Sequence, residues 1–316
     1  MLLRIKSIEL LAEEIRGYEL VDPEGKELPV FTAGSHVDVH LTDSLVRQYS
    51  LSNDPAERHR FQIAVLREPA GRGGSQFVHD QLKVDDLVRV EGPRNNFALV
   101  ETAKRHLLIA GGIGVTPMMA MAAALDARGE AYHLHYCTRT PTRTAFRQEL
   151  APLASGGKVT HHFDDGDPAR GLDLAGLLSR IEDGTHLYYC GPPGFMHAIK
   201  EASSHWPART VHFEYFAAPT DAPPLTTQGD RPFRVRIKSS GAEYEVPVGT
   251  TIVGVLRQHG FSVQTSCEEG FCGTCITPYL EGVPDHRDES LDDEARERYV
   301  LICCARSKSD VLVLDL

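Results

Sequence analysis

The pattern of apolar and polar positions divides the chain into parts with different rhythms. Val37–Leu41 alternates apolar and polar residues, Phe61–Leu66 does so loosely, and Leu87–Val90 is another short apolar run, with Gly and Pro turns between them. A period of two is typical of half-buried strands, and several short strands in series suggest a small barrel. We therefore expect an all-β domain over residues 1–103.

From residue 104 onward strands alternate with helices. His106–Ala110 is a short apolar strand, a glycine turn at Gly111–Pro117 follows it, and Met118–Leu125 is strongly helix-forming. Thr116 fits the N-cap of that helix and Pro117 its first position. A glycine turn between a strand and a helix N-terminus is how doubly wound folds hold a pyrophosphate.

A second strand–turn–helix unit repeats this arrangement. The strand Leu187–Cys190 leads into the turn Gly191–Gly194, and a helix is predicted from about Phe195. The alternation predicts a mostly parallel sheet over residues 104–216, with ligands beyond the carboxyl ends of its strands. Cys190 and both glycine turns belong at that edge.

The segment Ala217–Asp230 marks a boundary. Proline, threonine and small residues dominate it, which is typical of a semi-extended linker. We place the linker at residues 217–231 and a last domain at residues 232–316.

The last domain carries closely spaced cysteines. Four and then two residues separate Cys267, Cys272 and Cys275, and Cys303 follows after 27 more. This is the plant-type spacing for a [2Fe–2S] cluster, in which four thiolates hold two irons. The alternatives are a run of buried structural cysteines or a zinc site, but zinc favours paired C-x₂-C units and only one such pair is present here. We therefore predict an iron–sulfur cluster.

The fourth ligand is ambiguous because Cys304 directly follows Cys303. Residues 300–305 read as a strand or extended turn, in which neighbouring side chains point to opposite faces, so only one thiol would face the irons. Spacing does not decide which. Gly270 and Gly273 lie inside the loop, where a missing Cβ permits left-handed dihedrals and a close approach to the cluster.

Two loops of the first domain carry candidate chemistry. In Arg47–Ser52 a guanidinium, an aromatic ring and two hydroxyls fall within six residues. Gly71–Ser75 is a glycine-rich turn that ends in a hydroxyl and precedes a probable helix. Exposed amides, a hydroxyl and a helix N-terminus together make an anion site.

Composition and charge exclude several classes of function. The chain has 316 residues, 41% of them hydrophobic, so it can bury ordinary cores. A formal charge of −11 argues against nucleic acid as a partner. The first residues do not resemble a secretory signal, no window approaches 18 apolar residues, and seven cysteines fit a reducing compartment. We expect a cytoplasmic protein that does not enter membranes.

Taken together, five motifs resemble the phthalate dioxygenase reductase family, flavin-containing reductase components of Rieske-type oxygenases and O-demethylases. The resemblance covers essentially the whole chain and rests on the cysteine loop and on Arg47–Leu51, Gly71–Ser75, Gly111–Pro117 and Cys190–Met196. It implies a multidomain α/β and β fold: a flavin-binding antiparallel β-barrel, a parallel α/β nucleotide-binding domain and a C-terminal plant-type ferredoxin domain of the β-grasp type. It also implies a monomer.

The resemblance assigns roles to individual residues. Arg47 would pair with the FMN phosphate, Tyr49 and Ser50 would line the isoalloxazine, and Phe216 would stack on it. The other cofactor-binding positions are Gln48, Gly73, Gly74 and Ser75 for FMN, Gly112, Gly114 and Thr116 for the NADH pyrophosphate, and Cys190, Gly191 and Met196 for the rest of the nucleotide. Cys190, Phe216 and Ser50 would be catalytic. The cluster of this family ends in a C-x-x-R pattern that Cys303 and Arg306 match, so the ligands would be Cys267, Cys272, Cys275 and Cys303.

The implied function is electron transfer from NADH through FMN and the [2Fe–2S] cluster to a Rieske-type oxygenase component. A nicotinamide gives up two electrons at once and the cluster takes one, so a flavin is needed between them. Two alternatives remain open: an FAD-dependent reductase that serves another acceptor, and an electron carrier in which only the ferredoxin part works.

Overall fold

The computed structural model describes residues 1–42, 45–69, 71, 73–216, 229–263, 265, 268–270, 273–288, 290–291 and 293–316. The chain forms two compact units, Met1–Phe216 and Ala217–Leu316. Among the described residues, no helix is long and apolar enough to cross a membrane.

The first unit begins with a six-stranded antiparallel sheet of the predicted barrel type. The strand order is β4-β3-β6-β1-β2-β5. The elements are β1 (Leu2–Ala12), β2 (Ile15–Val21), β3 (Ser35–His40), β4 (Val46–Ser50), β5 (Phe61–Leu66), α1 (Gly74–Gln81) and β6 (Leu87–Asn95). The three runs with alternating or apolar patterns lie in β3, β5 and β6, as predicted.

A five-stranded parallel sheet completes the first unit, in the order β11-β10-β7-β8-β9. Its elements are β7 (Arg105–Gly111), α2 (Val115–Arg128), β8 (Tyr132–Thr138), α3 (Arg147–Ser155), β9 (Val159–Phe163), α4 (Leu174–Leu178), β10 (Thr185–Gly191), α5 (Pro193–Ala202) and β11 (Val211–Tyr215). Short 3₁₀ turns cover Gly112–Gly114, Pro141–Arg143, Pro168–Arg170 and Ala208–Thr210.

The two sheets of this unit share a hydrophobic core. Ile15 and Phe97 from the antiparallel part pack in one buried cluster with Leu108, Met118 and Tyr188 from the parallel part. Burying about 100 Å² of apolar side chain stabilises a fold by roughly 2.5 kcal/mol, so this contact holds the two sheets together. The motifs predicted to bind a flavin and those predicted to bind a nucleotide therefore lie in the same compact unit.

The second unit is built on a mixed five-stranded sheet with the strand order β13-β12-β18-β14-β16, on which a seven-residue helix packs. Its elements are β12 (Phe233–Ile237), β13 (Glu243–Val246), α6 (Ile252–Gln258), β14 (Ile276–Glu281), β15 (Pro284–Asp285), α7 (Asp293–Arg296), β16 (Tyr299–Leu301), β17 (Arg306–Ser307) and β18 (Val311–Leu314). The first and last strands of the unit, β12 and β18, run parallel, and α6 packs on this sheet as a ferredoxin-type β-grasp fold requires.

The start of helix α2 differs from its predicted form. The helix begins at Val115 with Gly114 at the N-cap, because the 3₁₀ turn Gly112–Gly114 runs directly into it. Thr116 is therefore inside the first turn, and its hydroxyl donates a hydrogen bond to the carbonyl of Ile113 (3.1 Å). The predicted N-cap role of Thr116 is wrong.

Candidate functional site

The two motifs that the sequence predicts to bind a flavin meet at the N-terminus of α1. Gly73 caps this helix in a left-handed conformation, with φ of 79°. A Cβ on Gly74 would lie 2.5 Å from Arg47 Nε, so the guanidinium stem packs directly against that glycine. Ser75 Oγ accepts a hydrogen bond from the amide of Glu68 (3.0 Å), which leaves its proton available to an anion. A guanidinium, a hydroxyl and helix amides thus converge where a phosphate would bind.

The strand that carries Arg47 continues into the predicted isoalloxazine contacts. Tyr49 packs against the barrel core, and burial raises the pKa of its phenol, so the ring stays neutral. Gln48 Nε2 lies 3.2 Å from His36 Nε2. Ser50 is buried, and its Oγ donates to Glu214 Oε2 at 3.1 Å.

The two glycine turns touch each other at the carboxyl edge of the parallel sheet. A Cβ on Gly114 would lie 2.3 Å from the carbonyl oxygen of Cys190 and 2.7 Å from the amide nitrogen of Gly191. Gly112 has φ of 52°, and no atom lies within 4 Å of the place that a Cβ on it would occupy. The turns after β7 and β10 therefore form one continuous surface, where doubly wound folds bind nucleotides.

Three predicted nucleotide contacts are turned inward. Cys190 has no exposed surface, and burial together with the nearby Glu214 carboxylate raises the pKa of its thiol, which stays protonated. Thr116 is 2% exposed and its hydroxyl is engaged within the turn. Met196 lies in α5 and is fully buried, so its side chain packs in the interior and offers no surface to an adenine.

At the end of β11 the structure adds a residue that sequence reasoning missed. Glu214 accepts a hydrogen bond from Ser50 in β4, and its charge adds to burial in raising the pKa of the Cys190 thiol. Glu214 therefore lies between β4 and the carboxyl edge of the parallel sheet. The signal was present in the sequence, because a carboxylate between aromatic residues is unusual in a strand of a parallel sheet. Phe216 follows β11 and is 39% exposed, so its ring is available to stack.

In the second unit, three of the five cysteines at or beside the predicted cluster are described. Cys275, Cys303 and Cys304 are all buried, whereas Cys267 and Cys272 lie outside the described residues. No set of three metal-ligating side chains is found among the described residues, which exclude those two thiols.

The backbone near these thiols fits the predicted cluster loop. Gly270 has φ of 81°, and a Cβ there would lie 2.7 Å from Cys304 Sγ. Gly273 has φ of 72°. Both turns have positive φ angles, which favour glycine. The cysteines of this loop would supply the sulfur ligands that a [2Fe–2S] cluster takes.

The segment that holds Cys303 and Cys304 is a turn, not a strand. The amides of Cys304 and Ala305 both donate to the carbonyl of Leu301, at 3.2 and 3.0 Å. The two thiols are close enough for Cys304 to donate a hydrogen bond to Cys303, and this bond together with burial raises the pKa of the Cys304 thiol strongly. The argument from strand alternation is therefore wrong, and the choice of Cys303 rests on the C-x-x-R pattern alone.

Arg306, the arginine of that pattern, has a structural position. Its guanidinium is buried over the ring of Phe233 and donates to backbone carbonyls, among them those of Arg231 (2.9 Å) and Thr250 (3.1 Å). Asp230 also lies beside it and bonds Arg287. Arg306 therefore joins the segment that directly follows the cysteines to Arg231, near the start of the second unit.

Three domain families match the chain in series. The oxidoreductase FAD-binding domain matches residues 2–99, the N-terminal domain of the dimethylamine monooxygenase subunit DmmA-like family matches 89–208, and the 2Fe-2S iron-sulfur cluster binding domain matches 235–308. The last of these matches the expectation from the cysteine spacing.

Several relatives match this chain over nearly the full length of both proteins. The chain is 50% identical to the "Tert-butanol monooxygenase / tert-amyl alcohol desaturase reductase subunit" of Aquincola tertiaricarbonis, over 99% of this chain and 95% of that one. It is 45% identical to the "Vanillate O-demethylase oxidoreductase" of a Pseudomonas strain, over 99% and 98%. The crystallised phthalate dioxygenase reductase superposes with a TM-score of 0.74 at 41% identity, over 100% of this chain and 98% of that one. The chain belongs to the phthalate dioxygenase reductase family, and is an oxidoreductase with a flavin-binding domain and a [2Fe–2S] domain.

Proposed function

We propose that the protein takes electrons from NADH and passes them through FMN and a [2Fe–2S] cluster to a Rieske-type oxygenase component. The observation that carries this proposal is the hydrogen bond between Ser50, in the flavin motif, and Glu214, beside the nucleotide edge. It brings the two motifs to one place, and hydride transfer needs a nicotinamide in contact with a flavin.

The test is anaerobic mixing of the purified protein with NADH. We expect the flavin absorbance to bleach first and the signal of the reduced cluster to appear afterwards. Reduction of an oxygenase component by this protein, measured with the purified partner, completes the test. A flavin that NADH leaves oxidised would overturn the proposal.

The identity of the flavin is proposed from the family as FMN. Arg47, Ser75 and the amides at the start of α1 supply one compact phosphate site, which FMN would fill with its terminal phosphate. FAD is the second candidate, because the matching family is named for FAD binding. The mass of the flavin released by denaturation distinguishes the two.

The nucleotide is proposed as NADH. Arg143 lies after β8, where an arginine could hold the 2′-phosphate of NADPH, but its Nη2 donates to Glu14 Oε2 (2.7 Å) and its Nε lies 3.6 Å from Glu13. These ion pairs offset the charge of Arg143. The other arginine that follows β8, Arg139, is exposed. A higher kcat/KM with NADPH than with NADH would contradict the assignment.

The partner is proposed to approach an acidic face of the second unit. Glu281, Asp293, Glu294 and Glu297 are exposed, and we call these four residues the acidic face. Two further acids between Glu281 and Glu297 are not available to a partner, because Asp285 pairs with the buried Arg287 and Asp288 is buried. Glu289 and Asp292 lie outside the described residues.

A further inference from the structure

One strand of the second unit departs from the pattern of its own sheet. A sheet that packs one face on a core normally turns polar side chains toward water on the other face. The strand β12 follows this rule, because Arg234 and Arg236 alternate with buried apolar residues and pair with Glu243 of β13. The strand β14 does not.

The outward positions of β14 are apolar. Ile276, Pro278 and Leu280 are exposed, and they alternate with the buried Thr277 and the half-buried Tyr279. Ile276 is 45% exposed and Leu280 47%, although β14 lies between β18 and β16. Single exposed apolar side chains are normal on a protein surface, whereas a contiguous apolar patch marks an interaction site. We call Ile276, Pro278 and Leu280 the apolar stripe.

An aromatic ring on the neighbouring strand adjoins the stripe. Tyr299 of β16 pairs with Pro278 and is half-buried, and the guanidinium of Arg298 lies over its ring at 5.5 Å. Residues that are directly opposite in an antiparallel pair lie on the same face of the sheet, so this ring extends the stripe sideways. Tyrosine and arginine are enriched among the residues that dominate the binding energy of protein interfaces.

The stripe begins at a predicted ligand of the cluster. Ile276 directly follows Cys275, and its amide donates to the carbonyl of Gly273 inside the cysteine loop (3.0 Å). Electron transfer slows steeply with distance, so a protein that takes electrons from this unit must contact it near that loop. A partner seated on the stripe meets this requirement.

The charges around the stripe indicate what kind of surface would match it. Glu281 of the acidic face ends β14 itself, and Glu297 of that face stands two residues before Tyr299. The two segments are joined, because the amide of Tyr279 donates to the carbonyl of Arg298 (3.1 Å). Protein interfaces commonly have an apolar centre and a polar rim. A matching surface is therefore apolar at its centre and basic at its edge.

We propose that the apolar stripe is the centre of the surface on which the oxygenase component docks, through an apolar patch of its own bordered by lysine or arginine; this inference rests on the proposed function. The acidic face attracts the partner from a distance, and the stripe holds the complex once water is excluded from it. The two contributions respond differently to salt. Screening weakens the attraction between charges but leaves an apolar contact in place.

The test compares two polar variants of the intact protein with its cofactors bound. The first combines Ile276→Thr with Leu280→Thr, because threonine keeps a side chain that favours a strand. The control is Val248→Thr, which makes the same kind of change at an exposed apolar residue of this unit outside the stripe. We expect the double variant to raise the KM for the purified oxygenase component about tenfold, and the control to leave it unchanged. The ratio of the two KM values, double variant to wild type, should not fall as salt rises.

Each outcome bears on the stripe. An unchanged KM in the double variant would overturn the inference, as would an equal rise in the control or a ratio that falls to one at moderate salt. A wild type that elutes as a dimer, with a monomeric double variant of unchanged KM, would overturn it in favour of a contact between copies of this chain. If the double variant lacks iron, Leu280→Thr alone, farther from Cys275, carries the same test. NADH-driven reduction of a small artificial acceptor should be normal in all variants, and its failure in the wild type would instead count against the proposed function.

Discussion

At the proposed phosphate site, the absence of a side chain at Gly74 matters as much as the charge of Arg47. The guanidinium stem occupies the space that a Cβ would need, so the two motifs specify one site although 26 residues lie between them. Sequence reasoning identified both motifs from their residue types. It did not identify the position of Glu214: a carboxylate between aromatic residues stands out in the sequence, but nothing local shows that β11 ends beside Ser50.

Replacing Arg47 by Ala should weaken flavin binding about tenfold or more. The substitution removes a charge-assisted hydrogen bond to phosphate, worth roughly 1.5–3 kcal/mol. Flavin content after gel filtration and titration of the flavin-free protein measure the effect. Arg67→Ala is the control, because Arg67 pairs with Asp80 on the exposed side of α1. Equal flavin affinity in Arg47→Ala and wild type would contradict the assignment.

Replacing Cys303 by Ser should remove or badly destabilise the cluster, since a thiolate ligand is lost. Cys304→Ser should keep the cluster and lose about 1–3 kcal/mol of stability, because a hydroxyl is then buried among apolar residues. Iron content and visible absorption report the cluster, and the flavin content should stay normal in both variants. The reverse pattern would make Cys304 the ligand.

At the scale of the elements, apolar alternation predicted the strands well but not the connections between them. β3, β5 and β6 contain the predicted runs, because the apolar side chains of these runs pack in the barrel core. The start of α2 and the turn after β16 were misjudged for a common reason. Both are fixed by contacts that residue type does not reveal: the packing of Gly114 on Cys190, and the bonds from two amides to Leu301.

Replacing Gly114 by Ala should separate the two glycine turns. The new Cβ would meet backbone atoms of Cys190 and Gly191, which cannot rotate away, so we expect a loss of about 1–3 kcal/mol and a raised KM for the nucleotide. Gly194→Ala, in α5 with open space around its Cα, should instead gain roughly 0.5–1 kcal/mol. Urea unfolding and steady-state kinetics compare the pair. Equal stabilities would show that the turns are not in contact.

At the scale of the whole molecule, charge is expected to govern the encounter with the partner. The chain has a formal net charge of −11, and the acidic face lies on the unit that carries the cysteines. Asp285 and Asp288 belong to the same stretch of the sequence but do not add to this face, because Asp288 is buried and Asp285 pairs with Arg287.

Electron transfer to the oxygenase should slow about tenfold as salt rises from low to moderate concentration, since screening weakens attraction over about 10 Å at 0.1 M. Glu294→Gln with Glu297→Gln should reduce both the rate at low salt and its dependence on salt. Glu9→Gln, an exposed acid of the first unit, serves as the control for net charge. The same salt response with a small uncharged acceptor would leave the acidic face without a docking role.

The anchoring of Asp230 determines where the chain can be cut. Its carboxylate is 4% exposed and lies between the guanidinium groups of Arg287 and Arg306, which are buried as well. Cutting the chain just after this residue would remove the buried carboxylate that both guanidinium groups share and leave Arg287 with Asp285, at a cost of about 3–5 kcal/mol. A fragment or fusion that begins at Gly229 should therefore melt cooperatively, whereas one that begins at Pro232 should not. A version of the second unit that folds by itself should therefore include Gly229 and Asp230, although both residues lie in the segment that its composition marks as a linker.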